Sequence, residues 1–226
     1  MSNITSDLAT SYICQYYKPV NMELAELRQI GENDNVPIIL KETEMVLHTL
    51  LNLKQPARIL EIGTAIGYSA IYFATVCPNT EVYTIEKDEQ MIQSARHNIT
   101  QAGLDQHIHS LFGDGQEQIE KLASQGINQF DFVFIDAAKS HYKRFFDAAV
   151  KVCKPGAVLV SDNILQKGMT MSDAFDTHKR HKTNIRKMRE YVEYICHDRS
   201  IDTTLMCVGD GLAVSIYRGE YEEREF

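Results

Sequence analysis

The sequence predicts a doubly wound α/β fold with a mostly parallel sheet of seven strands. Short apolar runs alternate with helical patterns, as in βαβ units built around a buried parallel sheet. The first five strands are expected at 58–62, 82–85, 107–112, 130–135 and 157–161. Two further runs, 203–208 and 212–217, flank the turn 209–211 and predict an antiparallel hairpin at the edge of the sheet. Ligands of such a sheet bind at the carboxyl ends of its parallel strands.

The residues before the first strand predict helices that cap this sheet. Helical spacing places Leu24, Leu27 and Ile30 on one face of 21–31, and a second apolar face follows Pro37. The chain has no low-complexity tract, internal repeat or Pro/Gly linker that would mark a domain boundary. We therefore expect one domain over 1–226, with cap helices (1–55), a catalytic core (56–218) and an acidic tail (219–226).

Length and composition favour a cytoplasmic globular protein. The 226 residues are 44% hydrophobic, which is enough for one full-sized core. The five cysteines are odd in number and form no C-x-x-C pair, as expected of a reducing compartment. No apolar run approaches the roughly 18 residues of a membrane span, and the N-terminus lacks the pattern of a signal peptide. We expect no membrane partner.

The charge distribution is uneven. The net charge of −8 argues against a nucleic-acid partner when it is taken as an average. Residues 177–189 nevertheless read THKRHKTNIRKMR and hold six of the 23 Lys and Arg residues but none of the 31 acids. This basic segment has two interpretations, a solvated helix face or a contact surface for RNA phosphates.

The first chemical motif is EIGTAIGYS at 61–69, where a strand enters a turn and then a helix. Gly63 and Gly67 allow the backbone to approach a ligand closely, and the helix N-terminus offers free N–H groups to an anion. The G-x-x-x-G spacing departs from the G-x-G-x-x-G of dinucleotide-binding proteins and disfavours a dehydrogenase. A dehydrogenase and a glycine-rich turn without a ligand both remain alternatives.

Acidic residues end the second and third predicted strands. Glu86 follows a Gly-rich first loop, so its carboxylate is in the position that binds the ribose hydroxyls of nucleoside ligands. Asp114 ends the third strand and is a further candidate of the same kind. The alternatives are a solvated glutamate and an ordinary turn aspartate.

The most specific pair of motifs is FIDAAK (134–139) with SDN (161–163), which ends the fourth and fifth strands. Adjacent parallel strands would bring Asp136, Asp162 and the amide oxygen of Asn163 together, with Lys139 beside them. Three oxygen ligands with few charges suit Mg²⁺. The alternative is two strand-end carboxylates and an Asx turn.

These four motifs, in this order, resemble those of the metal-dependent class I S-adenosylmethionine O-methyltransferases, the group of catechol and caffeoyl-CoA O-methyltransferases, over about Pro37 to Tyr217. The resemblance implies a Rossmann-like methyltransferase fold, a homodimer, and S-adenosyl-L-methionine with Mg²⁺ or Mn²⁺ as cofactors. It also implies catalytic roles for Lys139, as general base, and Asp136, and metal binding by Asp136, Asp162 and Asn163. The implied cofactor-binding residues are Val36, Glu61, Gly63, Thr64, Ser69, Glu86, Asp114, Gly115 and Asp136.

The substrate is less clearly indicated than the reaction. Small-molecule members of the family often place a bulky aromatic near the metal, whereas this chain has no Trp and has Ala137 and Ala138 there. GTAIGYSAI, FIDAAKSHYKRFF, DNILQKG and the basic segment look most like the bacterial tRNA 5-hydroxyuridine O-methyltransferases, which form 5-methoxyuridine at the wobble position. That resemblance implies a tRNA anticodon stem-loop as partner, bound by Lys179, Arg180, Lys182, Arg186, Lys187 and Arg189. A small catechol-like or acyl-CoA substrate, and an RNA-binding module without turnover, are the alternatives.

Overall fold

The computed structural model of the chain describes residues 7–176 and 181–219. The strands are β1 (Arg58–Ile62), β2 (Glu81–Glu86), β3 (Ile108–Phe112), β4 (Phe130–Ile135), β5 (Cys153–Ser161), β6 (Ile201–Met206) and β7 (Leu212–Tyr217). The helices are α1 (Asp7–Cys14), α2 (Met22–Asn33), α3 (Lys41–Lys54), α4 (Tyr68–Val76), α5 (Glu89–Gln101), α6 (Gly115–Ser124), α7 (Tyr142–Val150) and α8 (Lys182–His197). They enclose one seven-stranded sheet of order β3-β2-β1-β4-β5-β7-β6. The predicted fold class is confirmed.

The C-terminal hairpin returns to the end of β5. Strands β1 to β5 pair in parallel, whereas β7 lies antiparallel between β5 and β6. Because Met206 pairs with Leu212, the connection spans 207–211 and is longer than the predicted turn 209–211. Ser161 pairs with Ala213, so the residues just before β7 lie beside those just after β5. This pairing adds the hairpin loop to the carboxyl edge of the parallel strands.

The core lies on both faces of the sheet, with β4 at its centre. All six residues of β4 are buried, as expected of a strand covered on both sides. On one face Phe134 packs edge-on against Phe73 of α4, with ring centroids 5.5 Å apart. On the other face Tyr142 of α7 packs against Tyr191 of α8, also at 5.5 Å. The two layers hold the strand ends rigidly in place.

The cap consists of three helices, and its buried face differs from the predicted one. Ile30 was expected to be buried but is 55% exposed. Leu24 is buried as predicted, and it shares one helix face at i, i+4 and i+7 with the other buried residues of α2, Arg28 and Gly31. Arg28 is a polar residue that apolar periodicity cannot detect. Helix α1, which the sequence pattern did not predict, has no buried residue.

A buried ion pair joins the cap to the helix that follows the first motif. The Arg28 guanidinium pairs with the Glu44 carboxylate of α3, and both residues are buried. Arg28 Nη1 also donates to the carbonyl oxygen of Ile39 at 3.0 Å. Tyr68, the first residue of α4, donates its hydroxyl to Glu44 Oε2 at 2.6 Å. Tyr17 donates to Glu44 Oε1 at 2.9 Å. The network holds 37–40 against α4.

Several predictions about the surroundings of the protein stay predictions. Within 7–176 and 181–219, no helix is long and apolar enough to cross a membrane. The homodimer, the cytoplasmic location and the division into cap, core and tail are not tested. Most of the acidic tail, 220–226, lies outside the described residues.

Candidate active site

One large cavity opens at the carboxyl ends of the parallel strands. Its volume is about 990 Å³. It brings the candidate cofactor residues of the first two strands into the same space as the candidate metal residues of the fourth and fifth. The predicted residues that line it are Gly63, Thr64, Ser69, Glu86, Asp136, Lys139, Asp162 and Asn163. Residues from α1 and from 37–40, which the sequence did not single out, close its other side.

The first motif forms a tight loop that packs directly on the end of β4. Gly63 has φ +105°, a conformation that side chains rarely adopt. A Cβ atom there would lie 1.9 Å from the carbonyl oxygen of Asp136. Gly67 (φ 85°) is the N-cap of α4, whose first turn contributes Tyr68 and Ser69 to the cavity. The glycines therefore allow the loop to bring its backbone close to a ligand.

The Glu86 carboxylate at the end of β2 is oriented by backbone N–H groups. Oε2 accepts from Ala65 at 2.9 Å, and Oε1 accepts from Lys87 at 2.8 Å and Asp88 at 3.0 Å. Three of the roughly four acceptor sites of the carboxylate are thus occupied, and Oε2 can accept a further hydrogen bond. The arrangement fits a ligand hydroxyl, as a ribose provides.

Glu61 is fully buried beneath the loop and is incompletely paired. Thr84 donates its hydroxyl to Oε2 at 2.5 Å, whereas Oε1 has no partner among the described residues. Burial raises the pKa of Glu61 to about 7, and the charges of Asp136 and Glu86 add to this effect, although the neighbouring hydroxyls of Ser69 and Thr84 oppose it. A buried, unpaired carboxylate oxygen is costly and favours a ligand that carries a positive charge or a donor.

Asp114 and Gly115 line a second, smaller cavity of about 130 Å³ that shares Gly63 and Glu86 with the first. Asp114 is the N-cap of α6 and accepts from the backbone N–H of Gln116 at 3.0 Å. Arg144, which sequence reasoning missed, donates two hydrogen bonds to the same carboxylate, at 3.0 Å to Oδ1 and 2.7 Å to Oδ2. Burial alone would raise the pKa of Asp114, but the hydrogen bonds and charge of Arg144 lower it.

Val36 is the one predicted cofactor residue, apart from Glu61, that lines neither of these cavities. It lies just before the cap segment 37–40, which does line the large cavity. Its backbone N–H donates to the carbonyl oxygen of Gly31 at 2.9 Å. Its contact with a cofactor therefore stays a prediction.

The candidate metal residues meet because β4 and β5 are adjacent and in register. Ile135 pairs with Ser161, so Asp136 and Asp162 both follow directly from paired positions. Asn163 donates its amide to Asp136 Oδ1 at 3.1 Å. Burial, with the charge of Asp136, raises the pKa of the Asp162 carboxyl. A bound cation would relieve this repulsion, so the donor set fits a divalent metal.

This donor set contains two carboxylates and one amide. Within the described part of the chain, no group of three or more His, Cys, Asp or Glu side chains is arranged to hold a metal. The site thus depends on Asn163, whose amide oxygen and nitrogen exchange places when the side chain rotates. Oxygen-rich sites of this kind suit Mg²⁺ or Mn²⁺ better than zinc.

Lys139 lies beside the candidate metal residues, as predicted. Its ammonium is 3.3 Å from Asp136 Oδ1 and donates to the hydroxyl of Tyr142 at 3.0 Å. Tyr142 in turn donates to the carbonyl oxygen of Asp162 at 2.8 Å. Sequence reasoning missed this buried tyrosine because its pattern is that of an ordinary core position. Tyr142 positions Lys139 next to the reacting region.

Asp210 is a third carboxylate at this site and was also missed. Its sequence context, Gly-Asp-Gly between two strands, is typical of a turn. The structure places it in the wall of the large cavity, where Lys167 donates its backbone N–H to Oδ1 at 2.5 Å. Burial raises the pKa of Asp210, and the nearby charge of Asp136 acts in the same direction. The antiparallel return of β7 is what carries this residue to the active edge.

The basic segment lies only partly within the described residues. Lys179 and Arg180, both predicted RNA contacts, fall in the undescribed stretch 177–180. Helix α8 begins at Lys182, which is exposed. Lys187 donates to the carbonyl oxygen of Ser140 at 3.4 Å, so this face of α8 lies beside the turn that carries Lys139.

Two other predicted RNA contacts of α8 are engaged within the chain. Arg186 pairs with Glu190 at 2.8 Å, and both side chains remain exposed. Arg189 pairs with Asp173 at 2.8 Å and donates to the carbonyl oxygen of Thr170. The predicted RNA contact thus stays a prediction, and the described part of the segment shows basic side chains that also stabilise their own helix and the preceding loop.

Comparison with known proteins agrees with this geometry. A family model described as O-methyltransferase matches residues 16–217. A catechol O-methyltransferase of Niastella koreensis is 30% identical over 178 residues, covering 76% of this chain and 78% of the relative. The crystal structure of a candidate caffeoyl-CoA O-methyltransferase from Staphylococcus aureus aligns with a TM-score of 0.87 at 30% identity, covering 93% of this chain and 100% of the other.

A second solved structure extends the comparison to a ligand complex. The O-methyltransferase from Bacillus cereus, determined in complex with SAH, aligns with a TM-score of 0.80 at 25% identity, covering 93% of this chain and 97% of the other. The family model spans most of the chain, from before the cap helix α2 to the last residue of β7. The chain therefore belongs to the O-methyltransferase family.

Proposed function

We propose that this protein is an S-adenosylmethionine-dependent, Mg²⁺-dependent O-methyltransferase that methylates one hydroxyl of a catechol-like acceptor. The observation that carries the proposal is the single cavity shared by Glu86, Asp136, Lys139 and Asp162. A cofactor and an acceptor bound in one cavity can be held at reacting distance. The catechol O-methyltransferase relative supports this acceptor class.

The first motif and the ends of β2 and β3 would hold the cofactor. Glu86 is oriented to accept from a ribose hydroxyl, and the buried carboxyl of Glu61 lies beneath the loop that would hold the cofactor. Asp114, whose carboxylate is held by Arg144, would border the adenine base of the cofactor. When bound, S-adenosylmethionine supplies a methyl group attached to a positively charged sulfur. Once the methyl group is transferred, that sulfur becomes a neutral thioether.

Asp136, Asp162 and Asn163 would hold Mg²⁺, which would supply Lewis acidity at the acceptor oxygens. Lys139 would take the hydroxyl proton on Nζ as the acceptor oxygen gains the methyl group, and the cofactor would keep its sulfur as a neutral thioether. Tyr142 fixes the position of Nζ at 3.0 Å.

The metal assignment is tested by binding as well as by activity. Asp162→Ala should abolish methylation of catechol and weaken Mg²⁺ binding, yet leave the affinity for S-adenosylmethionine within a few-fold of the wild type in calorimetry. Asp105→Ala, at the opposite ends of the strands, is the matched control. Full activity of the wild type in excess EDTA would reject the metal-dependent reaction.

Lys139→Met tests the general base. We expect kcat to fall by about 10² to 10⁴, the usual contribution of a positioned acid or base, with little change in cofactor affinity. An unchanged kcat would show that the proton leaves by another route.

A second candidate substrate is 5-hydroxyuridine at the wobble position of tRNA. Its 5-hydroxyl and neighbouring carbonyl form an oxygen pair like that of a catechol. Two observations favour it: the small residues Ala137 and Ala138 beside Asp136, and the approach of Lys187 to the turn that carries Lys139. The two alanines leave room for a large substrate, and Lys187 supplies positive charge for a polyanion.

This candidate is tested on RNA directly. Deletion of the protein should cause 5-hydroxyuridine to accumulate in tRNA, as measured by mass spectrometry of nucleosides. In vitro, changing Lys182 and Lys187 to Ala should weaken tRNA methylation and lower the slope of log affinity against log salt by roughly 0.7 to 0.9 per lost phosphate contact. Lys121→Ala on α6 is the control. An unchanged nucleoside profile would reject this substrate.

A further inference from the structure

The loop that carries Asp210 is tied to the segment that follows the candidate metal residues. Leu165 donates its backbone N–H to the carbonyl oxygen of Asp210, and Ile164 donates to that of Gly211, each at 3.0 Å. Lys167 donates its backbone N–H to Asp210 Oδ1 at 2.5 Å. These three bonds fix the loop against the end of β5 and aim the carboxylate at the cavity.

The glycines on either side of Asp210 allow the loop to pack closely against its neighbours. Gly209 and Gly211 have φ +57° and +88°. A Cβ at Gly211 would lie 2.4 Å from Leu165 Cγ, and one at Gly209 would lie 2.5 Å from the hydroxyl of Thr43. The loop therefore packs closely on both the cap and the active edge. The Asp210 carboxylate is held in place before any ligand binds. A group fixed in this way contributes more to binding, because no free energy is spent on ordering it.

The second oxygen of this carboxylate is available. Within 7–176 and 181–219, Asp210 Oδ2 accepts no hydrogen bond, although the residue is half-buried in the wall of the cavity. Asp136 and Asp162 already supply negative charge to this cavity, and Lys139 is engaged by Asp136 and Tyr142. A preformed acceptor in such a place favours ligands that bring a donor.

We propose that Asp210 is a specificity-determining residue whose Oδ2 accepts a hydrogen bond from an N–H or O–H group of the acceptor, next to its vicinal oxygen pair. Asp210 thereby selects planar acceptors that carry a donor on the ring edge beside the vicinal oxygen pair. This role rests on the proposed O-methyltransferase function and identifies the acceptors that the same site prefers. In both candidate substrate classes such a donor is available, as a third ring hydroxyl or as the N3–H of a uracil ring.

The test compares two acceptors in two proteins. Beside the oxygen pair, pyrogallol has a hydroxyl that can donate, whereas 3-methoxycatechol has a methoxy group that cannot. Asp210→Asn keeps an oxygen that can accept from Lys167 and replaces the second oxygen with an NH₂ donor. The measurement is the ratio of kcat/KM for pyrogallol to that for 3-methoxycatechol, with the full chain, S-adenosylmethionine and Mg²⁺. Comparing this ratio between the two proteins cancels the intrinsic reactivity of the acceptors.

We expect the ratio to fall about tenfold or more in Asp210→Asn, mainly through KM, because a hydrogen bond to a charged group is lost. Asp210→Ser, which can still accept from Lys167, should lower the ratio as well and serves if the Asn variant does not fold. Equal ratios in the wild type and the variants would overturn the assignment, as would a loss of Mg²⁺ affinity that leaves the ratio unchanged. No methylation of either acceptor by the wild type would reject the proposed function and this assignment with it.

Discussion

The buried Glu61 carboxyl yields a quantitative prediction about stability and pH. Glu61→Gln removes the charge while keeping the shape of the side chain and an oxygen that can accept from Thr84. Burial raises the pKa of Glu61 from its ordinary value of 4.5 to about 7 in the folded chain. The folded protein therefore binds this proton more tightly than the unfolded chain does. Its contribution to stability is fully present below about pH 4.5 and is lost as the pH rises through about 7.

The magnitude follows from the difference between these pKa values. One pH unit corresponds to about 1.4 kcal/mol, so Glu61 lowers the free energy of unfolding by about 3 kcal/mol across this interval. Most of the loss falls between pH 5 and pH 8. The Gln variant cannot ionise and should escape it. Its stability relative to the wild type should rise by about 2 to 3 kcal/mol over that range.

Urea unfolding followed by circular dichroism at pH 5, 6, 7 and 8 measures this difference. Glu26→Gln, an exposed glutamate of α2, is the matched control and should show the pH dependence of the wild type. Parallel stability curves for the wild type and Glu61→Gln would refute the reasoning, because they would mean that Glu61 titrates alike in both states.

Three further substitutions test the loop, the cap and the core. Gly63→Ala should abolish cofactor binding in calorimetry, because its Cβ would lie 1.9 Å from the carbonyl oxygen that follows β4; normal affinity would contradict the loop geometry. Arg28→Ala should lower the free energy of unfolding by about 3 to 5 kcal/mol, because it leaves the buried Glu44 carboxylate without its counter-charge, and adding Glu44→Gln should recover part of this loss. Phe134→Ala should cost about 3 to 5 kcal/mol in urea unfolding, whereas Phe112→Ala, at a half-exposed position, should cost far less.

Sequence patterns predicted the architecture and much of the site because both are encoded locally. Five short apolar runs between helical patterns require a buried parallel sheet, and a parallel sheet collects the residues after its strands at one edge. Glu86, Asp136 and Asp162 could thus be assigned to one site without coordinates. The glycines of the first motif were equally readable, since a strand that turns into a helix over a close contact needs their conformation.

The remaining features depend on pairings between distant segments, which leave no periodic signal in the sequence. Arg28 is buried only because Glu44 lies opposite it, and apolar spacing therefore misassigned that face of α2 to Ile30. Arg144 reaches Asp114 across 30 residues of sequence.

The carboxyl edge of the sheet could be located from the sequence alone, because each motif lies at the end of a parallel strand. What else borders that edge depends on packing between distant segments. Asp210 looks like a turn residue until β7 returns antiparallel to β5 and the loop is bonded to Leu165 and Lys167. The physical reason is that a hairpin turn is specified by its own residues, whereas the surface it contacts is specified by the packing of the entire sheet.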